Sequence, residues 1–569
     1  MATRSLKSGL RVTAPSSFRV EPAAARDAVP GRPSGVSGRP AAFDERPPEL
    51  ADEKRLLREA LETQAFEFVD AIVFAPKMEE TALSGRRRRG AETIPRRQTV
   101  DLELDLEEHE DALALLEQDG LYAWCFPSEI VSLHAPRTGR AMPARPRRRR
   151  VHFAIDVHAT SSKPRRLDRR GFVRDLIYSR ITAFVFKFAA RLATPLAIKF
   201  LERHVDEGLV KIASRGLASW KKIDDPSRLA LPAERPARLL LFVHGTFSST
   251  RGSFGALSQS AWGRALLRRA SERYDAVLGF DHRTLSEDPL SNAVAVLDAL
   301  ERLRGAHPLE IDIVAFSRGG LVARSLIEHL LPVTQGLAKI GRVVFVASTN
   351  GGTRLAEPDN WHRLADLYTN LALAAFRLIA LAPQAKLPAE LLGGLISSVG
   401  ALVKYLATHT TSEAAVPGLA AMEPDGRFVT ELNRTQPGQP SPGEARYYAV
   451  TATFDARLAL DGETIAQLPH KLLLMIADGL VDQLMGTAND LVVDLPSMTA
   501  IDPPARERIK DRLEFDSRAE VFHTVYFTRP ELADSLTRWL ALDQKRASKA
   551  RPPARGRRLQ RRRKGRDSR

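Results

Sequence analysis

The chain has 569 residues, 44% of them hydrophobic, and a formal net charge of +16. That length suits two or three domains with a large core. Residues 545–569 hold thirteen Lys or Arg against one acid, Asp567, so the basicity belongs to a tail and the rest of the chain is near balance, which excludes a uniformly basic nucleic-acid-binding body.

Such a tail reads as solvated, able to bind anionic surfaces or nucleic acid non-specifically. The single cysteine, Cys125, excludes an intrachain disulfide and a multi-Cys metal site, and its neighbours Trp124 and Phe126 suggest a buried thiol. Arg4, Lys7, Arg11 and Arg19 break any apolar leader, so no secretory signal is expected and a cytoplasmic location is.

Residues 1–50, rich in Pro, Gly, Ala and Arg, predict disorder. A small α+β domain is expected over 51–135. In it Leu102, Leu104 and Leu106 alternate with acids as a strand, Glu108–Gln118 suits a short helix, and Leu121–Phe126 suits a second strand. A basic loop, Arg86–Arg89, interrupts it, and residues 136–150 form a basic linker. The region 151–230 opens on a strand, Val151–Val157. It continues in a helical pattern, Phe172–His204, whose Phe184, Phe186 and Phe188 suggest either packing on the next domain or peripheral contact with a membrane. Arg180, Lys187 and Arg191 leave no uncharged run long enough to span one.

The pattern over 231–545 is strand, loop, helix, repeated. Continuous apolar runs at Leu239–Val243, Asp275–Phe280, Ile311–Phe316, Val343–Ala347 and Tyr447–Thr453 suit strands buried on both faces of a parallel sheet. Helical patterns at 259–272, 289–304 and 318–331 separate the first four. The class is therefore α/β, a doubly wound and mainly parallel sheet. Two apolar helices, Trp361–Leu381 and Pro388–Thr408, form an insertion at 359–408 between the fourth and fifth strands, where a lid would overlie the ligand end of the sheet. A strand-like Val525–Phe527 and a helix Pro530–Leu540 close the domain, and 546–569 is the disordered tail.

The third strand runs into Ala315-Phe316-Ser317-Arg318-Gly319-Gly320. A Ser held on a sharp strand-to-helix turn needs small residues two before and two after it, and Ala315 and Gly319 meet that need with one methyl more than the usual Gly-x-Ser-x-Gly. The first strand ends in Val243-His244-Gly245-Thr246-Phe247. A backbone amide there, Thr246 first and Phe247 in reserve, would hold an oxyanion together with the amide of Arg318. His244, Gly245, Phe247 and Phe316 are the expected substrate contacts, and His282 shapes the loop after the second strand. Candidate acids are Asp455, Asp478, Asp482 and Asp490, and candidate bases beyond residue 410 are His470 and His523. The order nucleophile, acid, base favours Ser317, Asp490 and His523, with Asp455 next.

On these motifs, together with Asp281-His282-Arg283-Thr284-Leu285-Ser286, Asn489-Asp490-Leu491-Val492-Val493 and Val416-Pro417-Gly418-Leu419-Ala420-Ala421-Met422, residues 238–540 resemble the α/β-hydrolase superfamily, its lipase-like branch in particular. The resemblance implies hydrolysis of carboxylic esters, lipid or other acyl esters, by a metal-independent serine mechanism. No metal cluster, phosphate-binding glycine loop or nucleotide fingerprint is present in the sequence, so no cofactor is expected. The reading from another class is a hydrolase-like scaffold that binds lipid or protein without turnover.

Overall fold

The computed structural model describes residues 1–23, 57, 59–62, 64–77, 98–118, 120–133, 148–157, 180–189, 202, 205–334, 336–380, 389–408, 416–434, 445–455, 485, 487–501 and 509–543. Arg86–Arg89, most of the 136–150 linker, His470, Asp478, Asp482 and the basic tail lie outside the described residues.

Among the described residues, ten strands lie in the first third of the chain: β1 (Ala2–Ser5), β2 (Arg11–Ala14), β3 (Phe18–Pro22), β4 (Glu67–Pro76), β5 (Gln98–Glu107), β6 (Glu110–Gln118), β7 (Leu121–Cys125), β8 (Glu129–Leu133), β9 (Arg148–Val157) and β10 (Ile181–Ala189). They form two five-stranded sheets, ordered β1-β2-β5-β9-β8 and β3-β4-β10-β6-β7, with antiparallel pairing throughout. An apolar layer containing Val12, Leu102, Leu104, Phe153, Ile72, Ala112 and Val185 lies between them.

This arrangement corrects four expectations. Residues 1–22 are three strands rather than disorder; each spans only four or five residues, too few for the alternation of buried Val12 and Ala14 to register as a period. The expected helix Glu108–Gln118 is strand β6, and the expected helical stretch Phe172–His204 contains strand β10. Both strands are covered on both faces: Ala112, Ala114, Ala183 and Val185 face the other sheet, while Leu113, Leu115, Phe184 and Phe186 face the opposite side. Doubly covered strands are apolar at successive positions and imitate a buried helix, although Phe184, Phe186 and Phe188 carry the period of two. Because these rings are buried, they offer no face to a membrane. Finally, Arg148–Arg150 belong to β9 and not to a linker, with Arg149 paired to Asp111 and Arg150 Nε 2.7 Å from Asp105 Oδ1. The small unit is thus all-β in its strands and extends across the expected boundary at 150.

The second part is built on one eight-stranded sheet in the order β12-β11-β14-β13-β15-β16-β17-β18. Its strands are β11 (Gly208–Lys211), β12 (Lys221–Lys222), β13 (Arg238–Val243), β14 (Ala276–Asp281), β15 (Leu309–Phe316), β16 (Ala338–Val346), β17 (Arg446–Ala452) and β18 (Ile509–Phe515). The six from β14 to β18 run parallel, and β11 and β12 are antiparallel at one edge. Helices α1 (Ala261–Arg273), α2 (Pro289–Leu303) and α3 (Gly319–Arg324) connect the inner strands, and α6 (Pro530–Trp539) follows the last strand. The class is α/β, a mainly parallel sheet with the five expected strands in place. Strand β18 escaped the apolar pattern because it is an edge strand with Lys510, Asp511, Arg512 and Glu514 exposed, the charged guise that keeps an edge from pairing with another chain. The expected strand Val525–Phe527 is instead part of a 3-10 turn, Tyr526–Thr528.

Between β16 and β17 stand α4 (Trp361–Ala380) and α5 (Ala389–Thr408). Helix α4 covers the free edge of β7. Asn370 Oδ1 accepts from the Tyr122 amide at 2.9 Å and its Nδ2 donates to the Tyr122 carbonyl at 2.7 Å, so one side chain takes the place of a further strand. The Trp124 amide donates to Asp366 Oδ1 at 2.7 Å and its indole N–H to Thr369 Oγ1 at 3.0 Å. Each such bond adds about 0.5–1.5 kcal/mol net. On α5, the Lys404 ammonium lies 4.2 Å from the Phe66 ring centroid.

Burial raises the Asp366 carboxyl from 3.8 to about 7. The folded protein therefore holds a proton that the unfolded chain releases, so this group's contribution to stability is complete below pH ~4 and is lost as pH rises through about 7. Asp366→Asn keeps an acceptor for Trp124. The melting temperature of the wild type is expected to fall relative to that variant between pH 4 and 8, and a constant difference would show that Asp366 does not titrate in the folded state.

Candidate active site

Ser317 sits between the end of β15 and the start of α3 with φ 54°, a left-handed conformation that costs a non-glycine residue about 1–3 kcal/mol and persists only where the surroundings enforce it. Its amide donates to the Val346 carbonyl at 2.9 Å. Close approach explains the flanking glycines: a Cβ on Gly319 would fall 2.3 Å from the Val243 carbonyl oxygen, and one on Gly245 would fall 2.6 Å from Ser317 Cβ. Ala315 lies within the strand, paired with Val243 on one side and Phe345 on the other, where its methyl is buried without displacing the turn.

His523 follows β18 and Asp490 follows β17, so the carboxyl ends of β15, β17 and β18 deliver three polar side chains to one point. His523 Nε2 is 2.9 Å from Ser317 Oγ, and His523 Nδ1 is 2.8 Å from Asp490 Oδ2. A carboxylate accepts only, which places the imidazole proton on Nδ1 and leaves Nε2 to accept from the Ser hydroxyl. Asp490 is itself held from every side. Its Oδ1 accepts the amides of Val492 at 3.1 Å and Val493 at 2.9 Å, its Oδ2 also accepts the Tyr526 hydroxyl at 3.0 Å, and its backbone carbonyl accepts the His523 amide at 3.0 Å. Burial, reinforced by the Asp490 charge, raises the Tyr526 hydroxyl well above its ordinary value, so it stays protonated. Asp455 ends the described stretch after β17, and His523 bonds Asp490 instead.

Of the amides expected to meet an oxyanion, those of Thr246 and Arg318 donate to no described residue. The Phe247 amide is committed to Thr284 Oγ1 at 3.2 Å, which removes the reserve candidate. The Arg318 side chain is fully buried, donates to Asn292 Oδ1 at 2.8 Å, to the Gly418 carbonyl at 3.2 Å and to the Glu287 carbonyl, and is lowered to about 10 by burial. It anchors the start of α3.

The substrate contact expected of His244 is corrected. Nδ1 lies 2.9 Å from the Gly245 carbonyl, Nε2 accepts the His282 amide at 3.1 Å, and the ring stacks on His282 at 4.0 Å, so the imidazole is spent on the loop. Burial lowers both rings below their ordinary value, His282 the more strongly, and they stay neutral at physiological pH. His282 shapes this loop, as expected. Buried Glu202 braces it further by accepting the amides of Thr284, Leu285 and Ser286. Phe316 stands tilted against His523 at 5.1 Å, and Gly245 packs on Ser317.

Two tyrosines at the site escaped sequence reading. Tyr526, three residues after His523, meets Asp490 only because the 3-10 turn folds it back. Tyr368, on α4, is buried, with its ring edge-on to Phe247 at 4.9 Å and to His523 at 6.2 Å and its hydroxyl on the side of Ser317. No local pattern ties a residue of that helix to the elbow. Among the described residues, no group of three or more His, Cys, Asp or Glu is arranged to hold a metal ion, and no helix is long and apolar enough to cross a membrane.

Comparison with solved structures finds similarity to the phospholipase PlaB from Legionella pneumophila, at 12% identity and a TM-score of 0.27, covering 46% of this chain and 46% of that one. The chain thus matches about half the length of that phospholipase. Lipase 1 from Pelosinus fermentans is similar at 12% identity and a TM-score of 0.34, covering 53% of this chain and 98% of that one. A lipase-esterase related protein from Clostridium acetobutylicum is similar at 11% identity and a TM-score of 0.27, covering 58% and 99%. No curated protein matches the chain. A family model described as a domain of unknown function, DUF7362, matches residues 8–188, the two-sheet unit. A second, described as a domain of unknown function, DUF7379, matches residues 207–541, more than half of the chain, and the chain therefore belongs to the DUF7379 family.

Proposed function

We propose that this chain is a serine hydrolase acting on carboxylic esters, with Ser317 as nucleophile, His523 as general base and Asp490 as the carboxylate that orients it. The observation that carries this reading is the continuous relay from Ser317 Oγ through His523 to Asp490 at 2.9 and 2.8 Å, on a Ser held at positive φ. Ser317 Oγ attacks the acyl carbonyl, its proton passes to His523 Nε2, and Asp490 stabilises the imidazolium. The amides of Thr246 and Arg318 hold the oxyanion. His523 then protonates the departing alcohol, and water, activated by the same imidazole, releases the acyl group and regenerates Ser317.

Ser317 and His523 are each 1% exposed, so substrate reaches them only when the cover moves. Helices α4 and α5 serve as that cover, a lid whose buried Leu364, Leu371, Leu402 and Val403 suit an acyl chain. The substrate class is accordingly acyl esters, lipids among them.

A fluorophosphonate probe is expected to form one adduct, on Ser317, in the full-length protein, and peptide mapping locates it. A folded protein that takes up no probe would reduce the chain to a binding scaffold.

A further inference from the structure

The oxyanion donors named so far are both backbone amides, and the inserted helix contributes nothing to the chemistry as described. Helix α4 has two working faces, however. His362, Asp366, Thr369 and Asn370, at helical spacing, meet β7 and the residue after it: His362 stacks on Phe126 at 4.2 Å, and the other three make the bonds to Tyr122 and Trp124. Trp361, Leu364, Tyr368 and Leu371 follow the neighbouring stripe and are all buried. The Leu371 carbonyl accepts the hydroxyl of Thr524, the residue after His523, at 3.2 Å. The helix is thereby tied to the two-sheet unit on one side and to the base-bearing turn on the other.

Tyr368 stands where these restraints converge. Its ring packs closer to Phe247, beside the first oxyanion amide, than to His523, which sets the phenol between the oxyanion strand end and the base, on the side of Ser317. We infer that Tyr368 is a catalytic residue, its hydroxyl donating a third hydrogen bond to the oxyanion, so that the oxyanion hole is complete only while α4 is seated. When Ser317 Oγ bonds to the acyl carbon, the carbonyl π electrons move to oxygen, and the phenol directs its O–H to that charge without giving up the proton. Burial and the nearby Asp490 charge hold the phenol above its ordinary value, which suits a donor and not a base. A donor carried on a lid makes turnover conditional on closure, because an open lid leaves a weaker hole.

The inference rests on the serine-hydrolase reading, and one experiment separates the two. Wild type, Tyr368→Phe and Ser317→Ala, each full length, are compared for fluorophosphonate labelling and for steady-state turnover of p-nitrophenyl butyrate and of ethyl butyrate. Tyr368→Phe keeps the ring contacts, so its melting temperature is expected to match the wild type. Loss of one oxyanion donor lowers kcat by roughly 100-fold. That fall is expected with KM unchanged, alike for both leaving groups, while Ser317 still labels at a reduced rate. A Tyr368→Phe enzyme within about twofold of wild type overturns the role of Tyr368 alone, since an oxyanion donor is worth far more. So does a loss confined to ethyl butyrate, which would place the hydroxyl at the leaving group. A wild type that neither labels nor turns over overturns the serine-hydrolase reading, and the inference falls with it.

Discussion

Ser317→Ala is expected to lower kcat for p-nitrophenyl butyrate by about 10⁶-fold, leaving the residual rate that binding and the oxyanion donors alone provide. The magnitude follows from the arrangement of the relay. Ser317 Oγ is the group to which His523 Nε2 is bonded, and His523 Nδ1 is already committed to Asp490, so no second hydroxyl in the relay stands ready to take over the attack. Tyr368 is nearby, but burial holds its phenol protonated. The same substitution tests whether the loss is chemical or structural. Alanine occupies the backbone at φ 54° about as well as serine does, and removal of Oγ forfeits one hydrogen bond, worth about 1 kcal/mol net. For a domain of this size that moves the melting temperature by only about 1–2 °C. An inactive but equally stable variant supports nucleophilic catalysis. Unchanged turnover would remove Ser317 from the reaction, and a collapse in stability would leave a structural role for it.

The parallel sheet was legible in the sequence because its inner strands are short apolar runs separated by helices of a different period, so two signals agreed at each boundary. The elbow and the strand end at His244-Gly245 were legible for a related reason: close backbone approach there admits only very small side chains, and the sequence records them as glycines. The two-sheet unit was not legible, and the cause is physical. Strand β6 is sandwiched between the other sheet and the helical insertion, so Ala112-Leu113-Ala114-Leu115 shows no alternation of polarity, and length alone could not separate strand from helix. Strand β18 failed in the opposite sense, being exposed and charged. The polar residues that complete the site, Tyr526 and Tyr368, reach it through a tight turn and through packing between distant segments. Neither leaves a spacing that a linear reading can detect.

The assignment of Asp490 over Asp455 carries the second large effect. Every partner of the Asp490 carboxylate is a donor: the amides of Val492 and Val493 on Oδ1, the His523 Nδ1–H and the Tyr526 hydroxyl on Oδ2. Asp490→Asn therefore confronts donors with an NH₂ whichever way the amide is turned. If the NH₂ faces His523, the imidazole relieves the clash by moving its proton to Nε2, where it can no longer accept from Ser317. If it faces the loop, two buried amides lose their acceptor at a cost of about 1–3 kcal/mol each. A fall in kcat of about 10⁴-fold is expected for the first arrangement, by loss of the working tautomer. For the second, the fall is smaller and comes with a lower melting temperature. Tyr526 decides between them, since its O–H can rotate to accept from an NH₂ on the His523 side, which favours the first. Steady-state kinetics and thermal melts of Asp490→Asn beside Asp455→Asn measure both quantities. The Asp455 variant is expected to retain wild-type turnover; if it loses as much as Asp490→Asn, the acid has been placed on the wrong loop.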